Sequence, residues 1–349
     1  MKDFAGKIAF ITGGASGAGK GQAKVFSKAG MKVAIADVRQ DALDAAVKEI
    51  AEYSGAKQSD VIGLKVDLTN RAEYAAAADK VEAAFGGPPH LLIQTAGVNS
   101  FGPIEASTFD DFDWVMGVCL DHVVNGLLIF VPRMIKAYAK KTEFYVATTS
   151  SMGAFMAGST TGPYSAAKAA VNNLMYSYAE ALKPYGAGAS VLCPGNINSN
   201  IGNAEKFRPE NLKNTGYHVS EGTMKTLGAI HATGIDPVEL GEILKEGIEN
   251  ERIIVLPDHN TGEQRAASIR SQNESIEDYC LTGEERAVKA KARQEEMMKR
   301  FAAMAPPPAK EGEEAPPPPQ MGWGTPEGGE AFGQAKKDLD WVDESHRAK

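Results

Sequence analysis

Cysteine, aromatic residues and positive charge are all scarce in this chain. Its 349 residues include 3 cysteines and 7% aromatic residues, and 37 Lys and Arg face 45 Asp and Glu, a formal net charge of −8. Cys119, Cys193 and Cys280 are too few for a disulfide framework and lack the spacing of a metal site. The negative charge argues against nucleic acid or an anionic membrane as partner. We therefore expect reduced thiols, no metal and a cytoplasmic protein.

A secretory signal and very long hydrophobic runs are also missing from the sequence. Its apolar stretches fall well short of a membrane-spanning helix, and residues 1–4 lead directly into a strand. We expect no membrane segment. The hydrophobic content of 43% suffices for a sizeable core, and the length fits one large α/β domain with appendages.

Short apolar runs alternate with amphipathic stretches, the pattern of βαβ units. The runs are continuous and often β-branched, as in strands buried on both faces. Predicted strands cover residues 7–12, 32–37, 61–67, 90–95, 143–148, 189–193 and 252–257. Predicted helices cover residues 18–29, 40–53, 71–85, 110–139, 163–183 and 237–249. The pattern predicts a doubly wound (Rossmann), mainly parallel seven-stranded α/β sheet with helices on both faces.

Composition divides the chain into three predicted parts. Residues 1–258 form the predicted α/β domain, in which the polar stretch 197–235 breaks the alternation of strands and helices. That stretch is too long for an ordinary loop, which favours a substrate lid over a surface insertion without a role. Residues 259–304 are predicted to form a C-terminal helical extension. Residues 305–349 are predicted to form a proline- and glycine-rich tail. The tail is either disordered or docked through its aromatic residues, Trp323, Phe332 and Trp341.

The first apolar run ends in a glycine loop that opens a predicted helix. Its glycines follow the spacing G-x3-G-x-G. Glycines there allow a tight turn and a close approach of the backbone to a pyrophosphate, and the helix N-terminus adds N–H groups and a positive dipole end. The coenzyme contacts predicted in this loop are Gly13, Ser16, Gly17, Ala18 and Gly19.

The second predicted strand ends in Asp37, at the distance from the glycine loop where dinucleotide-binding proteins carry an acidic residue. A carboxylate there accepts hydrogen bonds from the adenosine ribose and repels a 2′-phosphate, which favours NAD over NADP. Arg39, two residues later, weakly favours NADP instead, because its positive charge suits a 2′-phosphate. The alternative interpretation of Asp37 is a helix N-cap.

Tyr164 and Lys168 are spaced i and i+4 on a predicted helix, so their side chains share a face. A free phenol has a pKa near 10, and an ammonium about 4 Å away contributes roughly 4 kcal/mol at an effective dielectric of 20, about three pKa units. This predicts a lowered pKa and an acid/base role for Tyr164. Ser151 is placed to hydrogen-bond the substrate oxygen, or is simply a turn residue.

The glycine loop, Ser151 and Tyr164-Ser165-Ala166-Ala167-Lys168 together resemble the short-chain dehydrogenase/reductase family, over about residues 5–258. The resemblance implies that Ser151 is a hydrogen-bond donor, Tyr164 the acid/base, and Lys168 its electrostatic activator and an anchor for the coenzyme ribose. It also implies a homo-oligomer, a dimer or tetramer. Residues 1–258 would then be the dinucleotide-binding catalytic domain, and the further coenzyme contacts that the resemblance implies are Asp67, Leu68, Thr95, Ala96, Gly97, Tyr164, Lys168, Pro194, Gly195, Ile197 and Ser199.

Cys119 departs from the family pattern, which has a proton-relay asparagine at this place. A thiol is not expected to copy the combined donor and acceptor of an amide, so we predict a weakened relay. His122 is either an alternative relay or a packed helix residue. Gln94-Thr95 likewise replaces the family's usual Asn-Asn.

Three further stretches, residues 95–105, 130–134 and 162–168, resemble the bacterial NAD-dependent Cα-dehydrogenases that oxidise the benzylic alcohol of lignin-derived β-aryl ethers. This implies oxidation of a bulky aromatic secondary alcohol to its ketone with NAD, and Phe207 and Tyr217 in the lid suit an aromatic substrate. Two alternatives stay open: a dehydrogenase for another bulky alcohol such as a steroid, and a dinucleotide-binding protein of weakened activity.

Overall fold

A computed structural model describes residues 1–213 and 215–257 of the chain, and beyond them the positions Val288, Lys291, Ala292, Glu295, Glu296 and Lys299. These six positions are helical and fall within the predicted C-terminal helical extension. The remainder of that extension and the whole tail, with Trp323, Phe332 and Trp341, lie outside the described residues.

Within the described residues, seven strands form one entirely parallel sheet in the order β3-β2-β1-β4-β5-β6-β7. The prediction of a doubly wound parallel sheet is confirmed. The largest difference is β7, which has two residues instead of the six predicted. The strands are β1 Ile8–Thr12, β2 Lys32–Asp37, β3 Val61–Lys65, β4 Leu91–Gln94, β5 Tyr145–Thr149, β6 Gly188–Leu192 and β7 Ile254–Val255.

Helices cover both faces of this sheet, as predicted. One face carries an aromatic cluster in which the Phe10 ring lies 4.7 Å from that of Phe130 and 6.0 Å from that of Tyr74. On the other face Ile11 and Phe26 pack with Leu240. The helices are α1 Gly17–Lys28, α2 Gln40–Ser54, α3 Arg71–Phe85, α4 Phe109–Met116, α5 His122–Tyr138, α6 Gly162–Leu182, α7 Glu221–Ala232 and α8 Pro237–Glu249.

The predicted helix 110–139 is interrupted by a π-helical turn, Gly117–Asp121, between α4 and α5. The continuous helical segment Phe109–Tyr138 is 30 residues long and apolar enough to cross a membrane by length and composition alone. The expectation that every apolar stretch falls well short of that length is therefore wrong. However, 56% of its most apolar window is buried inside the protein, and Leu127, Phe130 and Met134 are among the apolar side chains that α5 packs into the core.

The stretch 197–235 contains three helical segments, 3-10 helices at Ile201–Phe207 and Glu210–Leu212 and then α7. Sequence reasoning missed α7 because only Met224 of its residues is buried, so the apolar periodicity of a helix is absent. The two ends of the stretch meet where Ile197 pairs with Ile235. The stretch 197–235 is therefore an excursion whose two ends lie side by side next to the sheet domain.

Candidate active site

A cavity of about 890 Å³ lies at the carboxyl ends of the central strands. It includes the crevice between β1 and β4, where the strand order reverses, and that is the usual ligand position in open α/β sheets. Ser151, Tyr164, Lys168 and all the predicted coenzyme contacts line this cavity, whereas the two relay positions Cys119 and His122 are not among its lining residues. Phe101 and Trp114 also line it and were not anticipated. Tyr217 of the lid, expected to face an aromatic substrate, is not among the lining residues.

The glycine loop is built to admit a ligand's phosphates close to its backbone. Gly13 and Gly17 have φ angles of +65° and +50°, a region that side chains disfavour. A Cβ on Gly13 would lie 2.9 Å from the Ala96 backbone, and one on Gly19 would lie 2.3 Å from the Gly13 carbonyl oxygen. The loop leads into the N-terminus of α1, whose free N–H groups favour an anion. The residues present thus fit the pyrophosphate of a dinucleotide.

Asp37 is 8% exposed at the end of β2 and forms an ion pair with Arg39. Arg39 donates from Nε to Asp37 Oδ1 at 2.9 Å and from Nη2 to Oδ2 at 3.0 Å, and Nη2 also donates to Ser16 Oγ at 2.9 Å. The hydrogen bond with Asp37 raises the pKa of Arg39. Arg39, rather than Asp37, holds the N-cap position of α2. The ring of Phe207 lies 4.9 Å from the guanidinium carbon of Arg39.

Ser151, Tyr164 and Lys168 meet at one end of the cavity. Lys168 is 2% exposed, and its Nζ donates to the Thr149 carbonyl oxygen at 2.9 Å and lies 5.5 Å from the centre of the Tyr164 ring. Ser151 follows β5, and its Oγ accepts the Gly153 N–H at 3.0 Å. Ser151 is therefore a turn residue and a cavity residue at once.

Burial dominates the titration of this pair. It raises the pKa of Tyr164 above the ordinary value, Cys119 adds to the rise, and the Ser151 hydroxyl opposes it. Burial also lowers the pKa of Lys168. The predicted lowering of the Tyr164 pKa is thus wrong for this structure, because desolvation outweighs an ammonium that is bonded to the Thr149 carbonyl.

Cys119 lies in the π-helical turn, fully buried, and contacts the backbone of Val98. Its thiol donates to the Val98 carbonyl oxygen at 3.1 Å and accepts the Val98 N–H at 3.4 Å. The thiol therefore acts as donor and acceptor toward one backbone residue, and the weakened proton relay stays a prediction. Burial raises the pKa of Cys119, which keeps the thiol protonated and able to donate. The contact fixes the segment after β4 that begins with Thr95, Ala96 and Gly97.

His122 is a packed helix residue rather than a proton carrier. It is fully buried, and burial lowers its pKa to about 3. Its Nε2 lies 3.4 Å from Thr12 Oγ1, which accepts the N–H groups of Thr95 and Ala96 at 2.8 and 3.1 Å. His122 thus supports the floor of the cavity while staying neutral.

Gln22 of α1 ties the two predicted halves of the site together, and no sequence signal marked it. Its Oε1 accepts from Thr95 Oγ1 at 2.6 Å, and its Nε2 donates to Thr149 Oγ1 at 3.0 Å. Thr149 also supplies the carbonyl that holds Lys168. Gln94, the other departure from the family pattern, donates to the Val123 carbonyl oxygen at 2.9 Å beside the π-helical turn.

Comparison with known proteins agrees with this geometry. Residues 7–209 match the family described as short chain dehydrogenase. A C alpha-dehydrogenase from Sphingobium sp. (strain NBRC 103272 / SYK-6) is 50% identical over 257 residues, 74% of this chain and 82% of that protein.

Two solved structures are similar over most of their length. LigD from Sphingobium sp. strain SYK-6, in its apo form, is 42% identical with a TM-score of 0.64, covering 78% of this chain and 98% of that one. A short chain dehydrogenase/reductase from Burkholderia phymatum in complex with NAD is 31% identical with a TM-score of 0.72, covering 79% and 96%.

Proposed function

This chain belongs to the short chain dehydrogenase family, and from that membership we propose that it oxidises the benzylic Cα alcohol of a bulky aromatic compound to the ketone, using NAD. The observation that carries the proposal is the shared cavity: Ser151, Tyr164 and Lys168 line the same space as the glycine loop and Asp37. A group able to move a proton thus lies in the same cavity as a cradle for a dinucleotide.

The three side chains have complementary roles in this proposal. Ser151 donates a hydrogen bond to the substrate oxygen, and Tyr164, after losing its own proton to solvent, accepts the alcohol proton as phenolate. When bound, the coenzyme supplies the acceptor for the hydride that leaves the alcohol carbon. The buried Lys168 ammonium, whose Nζ lies 5.5 Å from the centre of the Tyr164 ring, stabilises the negative charge of the phenolate.

NAD is the proposed coenzyme because Asp37 lies at the cavity beside the glycine loop. Its carboxylate suits the ribose hydroxyls and disfavours a 2′-phosphate. The similarity to a structure in complex with NAD is in keeping with this choice. The ion pair with Arg39 reduces the negative charge there, so we expect a moderate rather than an absolute preference.

The aromatic substrate class is supported by the cavity walls and by the relative named C alpha-dehydrogenase. Phe101, Trp114 and Phe207 line the cavity. Flat aromatic walls favour aromatic ligands through stacking and apolar contact. The substrate or product partner is then an aromatic alcohol or its ketone.

Formation of NADH, followed by its absorbance, tests the proposal with four alcohols: a synthetic β-aryl ether dimer with a benzylic hydroxyl, 1-phenylethanol, a 3β-hydroxysteroid and cyclohexanol. We expect the highest kcat/KM for the dimer, about ten- to hundredfold above cyclohexanol, since burying one aryl group contributes about 1.5–3 kcal/mol. Faster turnover of the steroid would overturn the substrate class. Coenzyme binding without turnover of any alcohol would indicate a dinucleotide-binding protein instead.

A further inference from the structure

Phe207 and Arg208 are consecutive residues of the lid, and they contact different walls of the cavity. The Phe207 ring stacks 4.9 Å from the guanidinium carbon of Arg39, beside Asp37. The guanidinium carbon of Arg208 lies 4.5 Å from the ring of Trp114. Asp37 belongs to the coenzyme half of the cavity. Trp114 packs in the cluster that includes Tyr164. One peptide unit therefore connects the two halves.

The Arg208 end of this connection is rigid. Its side chain has no exposed surface, and it donates to Glu205 Oε1 at 3.0 Å, to Asp111 Oδ1 at 3.1 Å and to the Tyr217 carbonyl oxygen at 2.9 Å. Asp111, equally buried, also accepts the Thr108 N–H that begins α4. Burial alone raises the pKa of Asp111, but its hydrogen bonds outweigh burial and hold the pKa below the ordinary value. The cluster fixes the lid to α4 beside Trp114.

The Phe207 end is the adjustable one. Phe207 is 41% exposed, and the Arg39 side chain is 24% exposed. The orientation of Arg39 depends on Asp37, which is also the carboxylate placed to receive the ribose. A ribose that fixes Asp37 also fixes Arg39 in the orientation on which Phe207 stacks. Coenzyme binding therefore favours the lid position seen here over positions in which Phe207 has left Arg39.

We propose that Phe207 is a positioning residue that, through Arg208, links coenzyme binding at Asp37 and Arg39 to the aromatic wall at Trp114. The alcohol then binds more tightly to the coenzyme-loaded protein than to the free protein, and linkage requires the same factor for the coenzyme. This inference rests on the proposed function for the identity of the two ligands. It does not depend on which alcohol is the substrate.

Binding measurements without turnover test the link. In full-length Tyr164→Phe protein, the dissociation constant of the alcohol is measured by calorimetry with and without saturating NAD, using whichever of the four alcohols above the wild-type protein oxidises fastest. The ratio of the two constants is the coupling factor. Phe207→Ala is expected to lower this factor about two- to fivefold, since an exposed cation–π contact contributes about 0.5–1 kcal/mol.

Three comparisons complete the test. Phe207→Leu keeps the apolar bulk and is expected to lose the coupling like Phe207→Ala, which separates stacking from lid packing. Arg39→Met is expected to lower the coupling factor as much as Phe207→Ala does. The double variant that combines the two is expected to lower it no further, because both changes remove the same contact. Phe109→Ala, at a 90% exposed position of α4, is the matched control and should leave it unchanged. An unchanged coupling factor in both Phe207 variants, with the alcohol still bound by them and still oxidised by the wild-type protein, would overturn the inference while leaving the proposed function intact.

Discussion

At the residue scale, we expect the pairing of Asp37 with Arg39 to decide how strongly the proposed site prefers NAD over NADP. Both carboxylate oxygens accept from Arg39, so part of the charge that would repel a 2′-phosphate is compensated. We predict that Arg39→Met raises the ratio of kcat/KM for NAD over NADP at least tenfold, and that Asp37→Ala lowers it. Lys213→Met, which removes an exposed lid charge, is the control. Equal or better kcat/KM of the wild-type protein with NADP would contradict the NAD assignment.

Tyr164 is the residue on which the proposed chemistry depends most directly. Tyr164→Phe removes the hydroxyl and leaves the ring in place, so we predict a loss in kcat of about 10²- to 10⁴-fold with little change in the dissociation constant of NAD. Tyr176→Phe, at a 42% exposed position of the same helix, is the matched control. Turnover of the Tyr164 variant near the wild-type rate would remove the acid/base role.

Sequence reasoning found the predicted cavity residues because each belongs to a short motif whose spacing is local. Gly13 to Gly19 and Tyr164 to Lys168 are such motifs, and the family resemblance supplied the other segments. Gln22 and Arg208 act through partners far along the chain, and a single sequence does not reveal those pairings. Arg208 and Asp111, for instance, are 97 positions apart.

At the element scale, the predicted strands and the helices around them are present, because a fully buried strand and an amphipathic helix each have a distinct apolar pattern. The π-helical turn and α7 were missed. The extra residue of a π-helical turn leaves little trace in an apolar pattern, and α7 is mostly exposed.

The π-helical turn places Cys119 where its thiol can bond to the Val98 backbone, and the effect of these hydrogen bonds on stability and turnover can be measured. Cys119→Ala removes both hydrogen bonds and leaves a small void, so we predict a free energy of unfolding lower by about 1–3 kcal/mol and a reduced kcat. Cys119→Ser, which retains a donor and an acceptor, is expected to lose less. Denaturant unfolding and steady-state kinetics check both, and equal losses in the two variants would show that the hydrogen bonds do not matter.

The packing of α1 against α8 depends on Gly21. A Cβ there would lie 2.0 Å from the Pro237 carbonyl oxygen, whereas one on Gly222 of α7 would find its nearest atom at 3.9 Å. We predict that Gly21→Ala lowers the free energy of unfolding by at least 1–3 kcal/mol, because backbone must move. Gly222→Ala, the matched control, should be neutral or slightly stabilising. Equal melting temperatures of the two variants would contradict this account.

At the scale of the whole molecule, the α/β class and the parallel sheet were predictable because the alternation of strands and helices repeats along the chain. The homo-oligomer and the roles of residues 259–349 stay predictions. Composition alone indicates that the tail is rich in proline and glycine, and it does not indicate whether Trp323 and Trp341 find partners.

Stability against acid is a property of the whole fold, and the buried His122 and the partly buried His90 are expected to contribute to it. Burial lowers the pKa of His122 to about 3 and that of His90 to about 4, both below the ordinary value of 6.5. The stabilisation that these neutral rings provide is fully present above pH 6.5 and is lost as the pH falls toward the lowered values, since the unfolded chain then binds more protons.

We therefore predict that the free energy of unfolding falls by about 2 kcal/mol between pH 6.5 and pH 5 on account of His122 alone, at 1.36 kcal/mol per pH unit. His90 is only partly buried and should contribute less. His122→Gln removes the titrating group while keeping a polar side chain toward Thr12, so its stability should depend on pH less steeply by about one proton. Denaturant unfolding at pH 7, 6 and 5 measures the slope, and the same slope in wild-type and variant protein would show that His122 is not what destabilises the fold in acid.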